Sequence, residues 1–287
     1  MNTHTFKDRV NTLIQLSVER HSNAFTRFDW PETVSEEAYW FSPDALSVAG
    51  TPWVERLNTA ELQRLSKWEC INSFSLNVTG ERELMHEVSR VMHELPIGES
   101  RDYLHHLIHE ENQHMWYFNK FCHSYAGKVY PNKKMPLAKL SLSKAVDHFL
   151  VFARILIFEE IGHYHNIMNS RDERVEAFVR EINHAHYQEE ARHITFGRKV
   201  LEPLAEAALQ NADDQQLILN ELNKTLQMNI GSLYNPAMYR DAGLPKPMAL
   251  RSELMADQQR QQIHQNDILK GVTKVFGQLD LPVNTAF

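Results

Sequence analysis

Two Glu-x-x-His motifs constrain this chain more than any other feature of its sequence. They are Glu111-Asn112-Gln113-His114 and Glu190-Ala191-Arg192-His193. Three residues of an α-helix turn through about 300°, so each glutamate shares a helix face with its histidine, one turn away. A single motif of this kind often arises by chance. Two of them on alternate members of a helical series predict a bundle whose helices present carboxylate and imidazole groups to one another.

Hydrophobic periodicity and helix-stop residues predict four long helices in the centre of an all-α chain. We expect them at about residues 59–94, 100–126, 143–168 and 173–201. Their expected boundaries are Thr59 as N-cap, Gly127 as a stop, a break at 169–172 and a stop near Pro203. Connections within each pair are short, and a proline-containing loop at 129–140 separates the pairs. This order is that of a ferritin-like four-helix bundle with one crossover.

Further helices are predicted at both ends of the chain. One is expected at about residues 4–21, followed by an irregular stretch at 27–53, and others at about 213–233 and 250–276. We therefore predict a single ferritin-like domain over residues 1–287, with its core bundle at about 59–203 and its C-terminal helices at about 213–276.

Charge and composition exclude several classes of partner. The formal net charge is −7 and no basic stripe is present, which argues against nucleic-acid binding. The longest apolar run, Phe149 to Phe158, contains Arg154 and is too short to cross a membrane. The first ten residues lack the apolar core of a signal peptide. With only two cysteines, the sequence indicates a reduced, cytoplasmic protein.

The remaining two long helices also offer glutamates. A di-iron carboxylate bundle takes one Glu-x-x-His pair from each of two helices and one further glutamate from each of the others. On the first long helix, Glu81 lies about as far before the turn near Ile97 as Glu111 lies after it. This match favours Glu81 as a metal ligand, with Glu83 as the alternative.

On the third long helix, Glu159 and Glu160 are adjacent within an apolar segment. A carboxylate buried there needs a partner, which could be a metal ion or an arginine such as Arg154. The local sequence does not choose between the two glutamates.

The fourth long helix adds His186, four residues before Glu190 and on the same helix face. His186 is a candidate for a seventh metal ligand, or it forms a hydrogen bond with a neighbouring helix. Arg192 and Arg198 are expected to pair with acids on the bundle surface, with a substrate carboxylate as the alternative partner for one of them.

These residues resemble the p-aminobenzoate N-oxygenase family of di-iron enzymes. The resemblance is strongest over His186–Gly197 and includes Phe158-Glu159-Glu160 and the segment Tyr239–Leu244. It extends from about Trp68 to Gly277. Glu-x-x-His pairs occur in many ferritin-like proteins, whereas the histidine four residues before the last pair is more specific to this family.

The resemblance implies a di-iron site and an activity. Its metal ligands would be Glu81, Glu111, His114, Glu159, His186, Glu190 and His193, with Glu159 preferred over Glu160. The implied reaction uses O2 to oxygenate the nitrogen of a primary amine in small-molecule natural product biosynthesis. His186 is expected to have a catalytic role by tuning the oxygen chemistry of the centre.

The resemblance also implies partners. The amine would be an arylamine or an amino acid, free or tethered to a carrier protein, and the enzyme would be a homodimer. Because the sequence has no glycine-rich nucleotide-binding motif, electrons must come from an external reductase. Two alternatives are a di-iron hydroxylase or desaturase that acts on carbon, and a non-catalytic iron-binding helical bundle.

Overall fold

The computed structural model describes residues 3–98, 100–131 and 142–286, with side chains from residue 6 onwards. The helices are α1 (Thr3–Glu19), α2 (Ala24–Arg27), α3 (Thr59–Val91), α4 (Ser100–Ala126), α5 (Lys144–Arg171), α6 (Ala177–Ala208), α7 (Ala212–Leu233), α8 (Pro236–Asp241), α9 (Pro247–Ala256), α10 (Gln258–Ile263) and α11 (Lys270–Gln278). Most of the predicted loop at 129–140 lies outside the described residues.

The centre of the fold is a ferritin-like four-helix bundle, as predicted. Helices α3 and α4 form one hairpin, α5 and α6 form the other, and the two hairpins pack together. Helix α1 lies against α4 and α6, while α7 and α11 lie against α5. Within the described ranges no strand forms, and the one β-bridge joins Tyr39 to Val175. The expected all-α class with extra helices at both ends is therefore confirmed.

Polar side chains at the helix ends explain where several helices begin. At the start of α3, the Asn58 side chain accepts a hydrogen bond from the Glu61 amide, and the Glu61 carboxylate accepts one from the Asn58 amide. Asn58 is therefore the N-cap, and the predicted cap Thr59 is the first helical residue. Ser143 caps α5 through the Val146 amide, and Gly127 ends α4 with a φ of 67°.

Three predicted helix boundaries are wrong, at the end of α5 and at both ends of α6. Helix α5 continues through the predicted break because Asn169 is buried and bonds other segments, accepting from the Ser42 amide and donating to Asn183. Helix α6 starts later than predicted, because Glu176 caps the amides of Phe178 and Val179. It also passes through Pro203 to Ala208. Its last turn is held by burial, since Leu204 and Ala208 lie in the core.

The C-terminal region is more broken than the sequence predicted. Helix α7 matches its predicted position, but the helix expected at 250–276 consists of α9, α10, a π-helical turn (His264–Ile268) and α11. Asp257 ends α9, and its side chain caps α10 through the Arg260 amide. The short helix α8 was missed, although Asn235-Pro236 is a typical helix start. None of the helices in the described part of the chain has the length and apolar content that a membrane crossing requires.

Candidate metal centre

The seven predicted ligands come from all four bundle helices, and every one of them is buried. Helix α3 contributes Glu81, α4 contributes Glu111 and His114, α5 contributes Glu159, and α6 contributes His186, Glu190 and His193. Ionisable groups are seldom fully buried unless they have partners. Their contacts with one another therefore decide what the cluster can do.

Four of these residues meet in the middle of the bundle. Glu111, His114, Glu190 and His193 each offer one ligand atom, and the four atoms lie within 4.8 Å of one another. Oxygens of Glu111 lie 2.8 Å from Nδ1 of His193 and 3.4 Å from Nδ1 of His114. Oxygens of Glu190 lie 3.1 Å from Nδ1 of His114 and 3.5 Å from Nδ1 of His193. Each carboxylate thus lies between the two imidazoles, so the four side chains face one common space.

A second group of three extends this cluster towards α3. It comprises Glu81, His114 and His186, whose ligand atoms also lie within 4.8 Å of one another. Nε2 of His186 lies 2.8 Å from Glu190 and 3.5 Å from Glu81. Because His114 belongs to both groups, the two groups form one continuous cluster.

The other ring nitrogen of His186 faces an amide. Nδ1 lies 2.7 Å from Nδ2 of Asn166. The alternative amide orientation would place the Asn166 oxygen there, where it can accept a hydrogen bond from Nδ1–H. In that arrangement the lone pair of Nε2 faces Glu81 and Glu190. His186 therefore has both a position among the candidate ligands and a group that can fix its ring.

Glu159 lies apart from both groups of converging atoms. Its side chain is buried, and its Oε1 atom has no hydrogen-bond partner. Its neighbour Glu160 accepts a hydrogen bond at 2.7 Å from Arg198 and packs against Gly271. Arg154, a possible partner for this glutamate pair, instead bonds Glu221 at 2.9 Å. The metal-ligand role of Glu159 stays a prediction.

The buried donor atoms test whether a metal fits this cluster. Each of the seven residues has at least one buried side-chain oxygen or nitrogen without an aligned hydrogen-bond partner among the described residues. These atoms are both oxygens of Glu81 and of Glu111, Oε1 of Glu159, Oε2 of Glu190, Nδ1 of His114 and of His193, and Nε2 of His186. Burying a polar group without a partner costs free energy. A cation would satisfy these atoms, and carboxylates mixed with imidazoles are a ligand set that suits iron.

Two further glutamates, which were not among the predicted site residues, bond the central histidines from outside the cluster. Glu189 of α6 lies 2.7 Å from Nε2 of His114 on α4. Glu110 of α4 lies 2.8 Å from Nε2 of His193 on α6. Each glutamate therefore bonds a histidine on the other of these two helices, α4 and α6. An imidazole that donates from Nε2 presents the lone pair of Nδ1 to the centre, so these carboxylates select the tautomer that binds metal. Their sequence signal was the glutamate directly before each Glu-x-x-His motif.

An arginine pairs with each of these outer glutamates. Arg192 bonds Glu110 at 2.8 Å and is buried, which corrects the prediction that it pairs with an acid on the bundle surface. Arg27, from α2, bonds Glu189 at 2.8 Å together with Ser22. The N-terminal segment therefore reaches the hydrogen-bond network of the candidate metal centre.

These contacts set the charges of the outer glutamates. Although burial opposes ionisation, hydrogen bonding and charge from His193 and Arg192 lower the pKa of Glu110 to about 2. Burial also raises the pKa of Glu189, but the hydrogen bond and charge of His114 and the charge of Arg27 lower it to about 2. Both groups are thus carboxylates at neutral pH, which is the state in which they accept from an imidazole N–H.

The inner groups show how strongly the centre attracts positive charge. Burial alone would lower the pKa of His114, but Glu111, Glu189 and Glu190 raise it well above its ordinary value. Burial and the charge of Glu111 raise the pKa of Glu81. Protons and metal ions compete for such a site, so metal binding here would release protons.

Comparison with known proteins identifies one family. The family model described as p-aminobenzoate N-oxygenase AurF matches residues 4–280. The match includes the N-terminal helix and the irregular segment, so it begins well before Trp68, where the resemblance in the sequence analysis begins. No curated protein matches the chain.

Proposed function

Because the chain belongs to the p-aminobenzoate N-oxygenase family, a family of oxygenases, we propose that it is a di-iron enzyme that uses O2 to oxygenate the nitrogen of a primary amine. One observation carries this proposal. The two buried ligand groups share His114 and form one cluster of carboxylates and imidazoles inside the four-helix bundle.

The residues suggest how two iron ions would be held. Glu111 and Glu190, each between His114 and His193, would hold the ions together with these two histidines. Glu81 and His186 would add ligands beside His114. Glu159, whose buried Oε1 atom has no hydrogen-bond partner, would complete the set.

The bound iron would supply the oxygen chemistry, and the protein would supply orientation and shielding. Glu110 and Glu189 hold the imidazoles in the tautomer that binds metal. Burial of the ligands excludes bulk water from the centre. A dry environment also lowers the pKa of an amine, which favours the neutral form whose lone pair reacts. We assign His186 the role of tuning this reactivity, because it lies beside Glu81 and Glu190.

The family supports the finer parts of the proposal. The substrate would be an arylamine or an amino acid, free or tethered to a carrier protein, in natural product biosynthesis. Electrons would come from an external reductase. We further propose that the protein is a single-domain homodimer that works in the cytoplasm.

An oxygen-isotope experiment tests this function. Iron-loaded protein would be reduced and exposed to ¹⁸O2 with a panel of primary amines, and products would be identified by mass spectrometry. We expect ¹⁸O bound to nitrogen, with loss of turnover in Glu111→Ala and unchanged turnover in Glu206→Gln, which alters an exposed acid on α6. Oxygen on carbon, or desaturation, would favour the alternative hydroxylase or desaturase. Iron binding without any oxidation would contradict an oxygenase.

A further inference from the structure

A large cavity lies between α3, α5 and α7. Its volume is about 540 Å³, within the range of small-molecule sites in proteins. Its wall includes Glu83 and Glu87, whose side chains are 42% and 39% exposed, so the cavity reaches the protein surface at this end. The cavity therefore extends from the solvent into the interior of the fold.

The cavity-lining residues form one stripe on α3 and one on α5. Those of α3 are at positions 73, 76, 77, 80, 83, 84 and 87, and those of α5 are at 151, 154, 155, 158, 161, 162 and 165. This spacing of three and four defines a single helix face, with Gly80 and Phe158 in the middle of the two stripes. The residues that follow them directly are the candidate ligands Glu81 and Glu159. The middle of the cavity therefore lies next to the helix positions that carry the ligands.

The Phe158 ring closes the cavity at this point. It lies in the space that a Cβ atom on residue 80 would occupy. The ring thus reaches from α5 to the backbone of α3, and it fits there only because residue 80 is a glycine. A reactant in the cavity is separated by this ring from Glu81 and Glu159.

The same ring borders empty space. Phe158 is half-buried and lines the cavity, whereas its neighbours Ile157 and Glu159 are buried. The wall around it is apolar and includes Leu76 and Met228. A cavity of about 540 Å³ is larger than a phenyl ring, so Phe158 has room to change rotamer and turn into it without leaving an apolar environment. Because residue 80 has no side chain, nothing at that position would cover the gap that the ring leaves.

The opposite side of the candidate metal centre is filled. None of the seven candidate ligands is more than 4% exposed. The Tyr117 ring lies 5.6 Å from the His114 ring, and the Phe118 ring lies 4.8 Å from the His186 ring. Hydrogen-bonded carboxylates of α4 and α6 occupy the outer nitrogens of His114 and His193. Reactants must therefore enter through an opening that forms transiently, and the cavity supplies the space for one.

We propose that Phe158 is an access gate for the candidate metal centre, and that it closes against Gly80. In the closed position, which is the one in the structure, the ring separates the cavity from the ligands. In the open position the ring turns into the cavity, and O2 and other small reactants pass Gly80 to reach the centre. This inference rests on the proposed function and adds a residue that controls entry to its site.

Nitric oxide binding tests the gate without turnover. Nitric oxide is a neutral diatomic molecule like O2, and its complex with Fe(II) absorbs visible light. Stopped-flow mixing with the reduced, iron-loaded protein therefore measures the rate of entry. A minor conformation is typically populated at about 0.1–10%, so Phe158→Ala, which removes the ring, should speed nitric oxide binding at least about ten-fold. An unchanged rate in folded Phe158→Ala would overturn the proposal.

Two substitutions on α7 complete the test. Met228→Trp places a larger side chain in the cavity, so the Phe158 ring loses the space into which it turns, and nitric oxide binding should slow several-fold. Met228→Ala is the matched control, because it widens the cavity and leaves Phe158 against Gly80, and its rate should equal that of the wild type. Equal acceleration in Met228→Ala and Phe158→Ala would overturn the gate, because cavity volume rather than the ring would then limit entry.

Circular dichroism identifies a variant that fails to fold. If Phe158→Ala does not fold, Met228→Trp decides, and an unchanged rate in that variant overturns the proposal.

Nitric oxide rates and amine products separate this inference from the proposed function. If the rates change as expected and no primary amine is oxygenated at nitrogen, the gate stands and the proposed function fails. If amines are oxygenated at nitrogen while folded Phe158→Ala binds nitric oxide at the wild-type rate, the proposed function stands and the gate fails.

Discussion

Replacing Glu189 by glutamine should weaken metal binding without unfolding the protein. Glu189 accepts a hydrogen bond from Nε2 of His114 at 2.7 Å, in a pair where the carboxylate carries charge. Glutamine can still accept through its amide oxygen, but a charge-assisted bond is about twice as strong as a neutral one. Loss of such an outer partner typically costs ten- to 100-fold in metal affinity. We expect about ten-fold for Glu189→Gln, or about 1.4 kcal/mol, and nearer 100-fold for Glu189→Ala.

Glu110→Gln provides the mirror-image test on His193. The bond from His193 is 2.8 Å long, so a similar loss of metal affinity is expected. The effect on folding should differ between the two variants. Arg192, which pairs with Glu110, is only 5% exposed, whereas Arg27, which pairs with Glu189, is 23% exposed. An unpaired buried cation is strongly destabilising, so Glu110→Gln should also cost about 3 kcal/mol of unfolding free energy.

Competition between the protein and a colorimetric Fe(II) chelator, without oxygen, measures the affinity, and urea denaturation measures the stability. Glu206→Gln, an exposed acid on the same helix as Glu189, is the control for both. Unchanged Fe(II) affinity in both Glu189→Gln and Glu110→Gln would refute the reasoning, because it would mean that neither carboxylate orients a metal ligand.

Two predictions concern stability elsewhere in the fold. Gly80→Ala should lower the free energy of unfolding, measured by urea denaturation, by about 1 kcal/mol, because overlap of the new Cβ atom with the Phe158 ring outweighs the better helix propensity of alanine. Gly162→Ala has open space at its Cβ position and should instead raise the free energy of unfolding. Equal effects of the two substitutions would argue against the tight contact at Gly80. Burial raises the pKa of Glu69 from 4.5 to about 7 despite hydrogen bonds from Ser47, so the folded protein keeps a proton that the unfolded chain releases. The free energy of unfolding should therefore fall by about 3 kcal/mol as pH rises from about 4.5 to above 7. Glu69→Gln should remove most of this pH dependence. Urea denaturation of both proteins at pH 5 and at pH 8 measures it.

The sequence predicted the central bundle well because local patterns determine it. Four long amphipathic segments are visible as hydrophobic periodicity, and the two Glu-x-x-His motifs identify which of their faces turn inward. The register argument from the turn near Ile97 favoured Glu81, and the structure places Glu81 beside His114 and His186. The role of Glu81 as a metal ligand stays a prediction.

Most features that were not predicted depend on contacts between different helices. The bonds of Glu110 to His193 and of Glu189 to His114 depend on how α4 and α6 face each other, which periodicity does not specify. Helix α5 continues past its predicted end, where Asn169 accepts a hydrogen bond from the Ser42 amide, 127 residues earlier in the chain, and donates one to Asn183 on α6. One missed feature is local instead: the helix predicted at 250–276 is interrupted at Asp257, whose side chain caps α10 through the Arg260 amide, three residues on.

A crystal structure of the iron-loaded protein, with anomalous diffraction at the iron absorption edge, tests the proposed di-iron centre. We predict two iron peaks per chain, about 3.5–4 Å apart as in other two-metal sites, surrounded by Glu81, Glu111, His114, Glu159, His186, Glu190 and His193. A single peak in the bundle, or iron bound only at other residues, would contradict the di-iron centre.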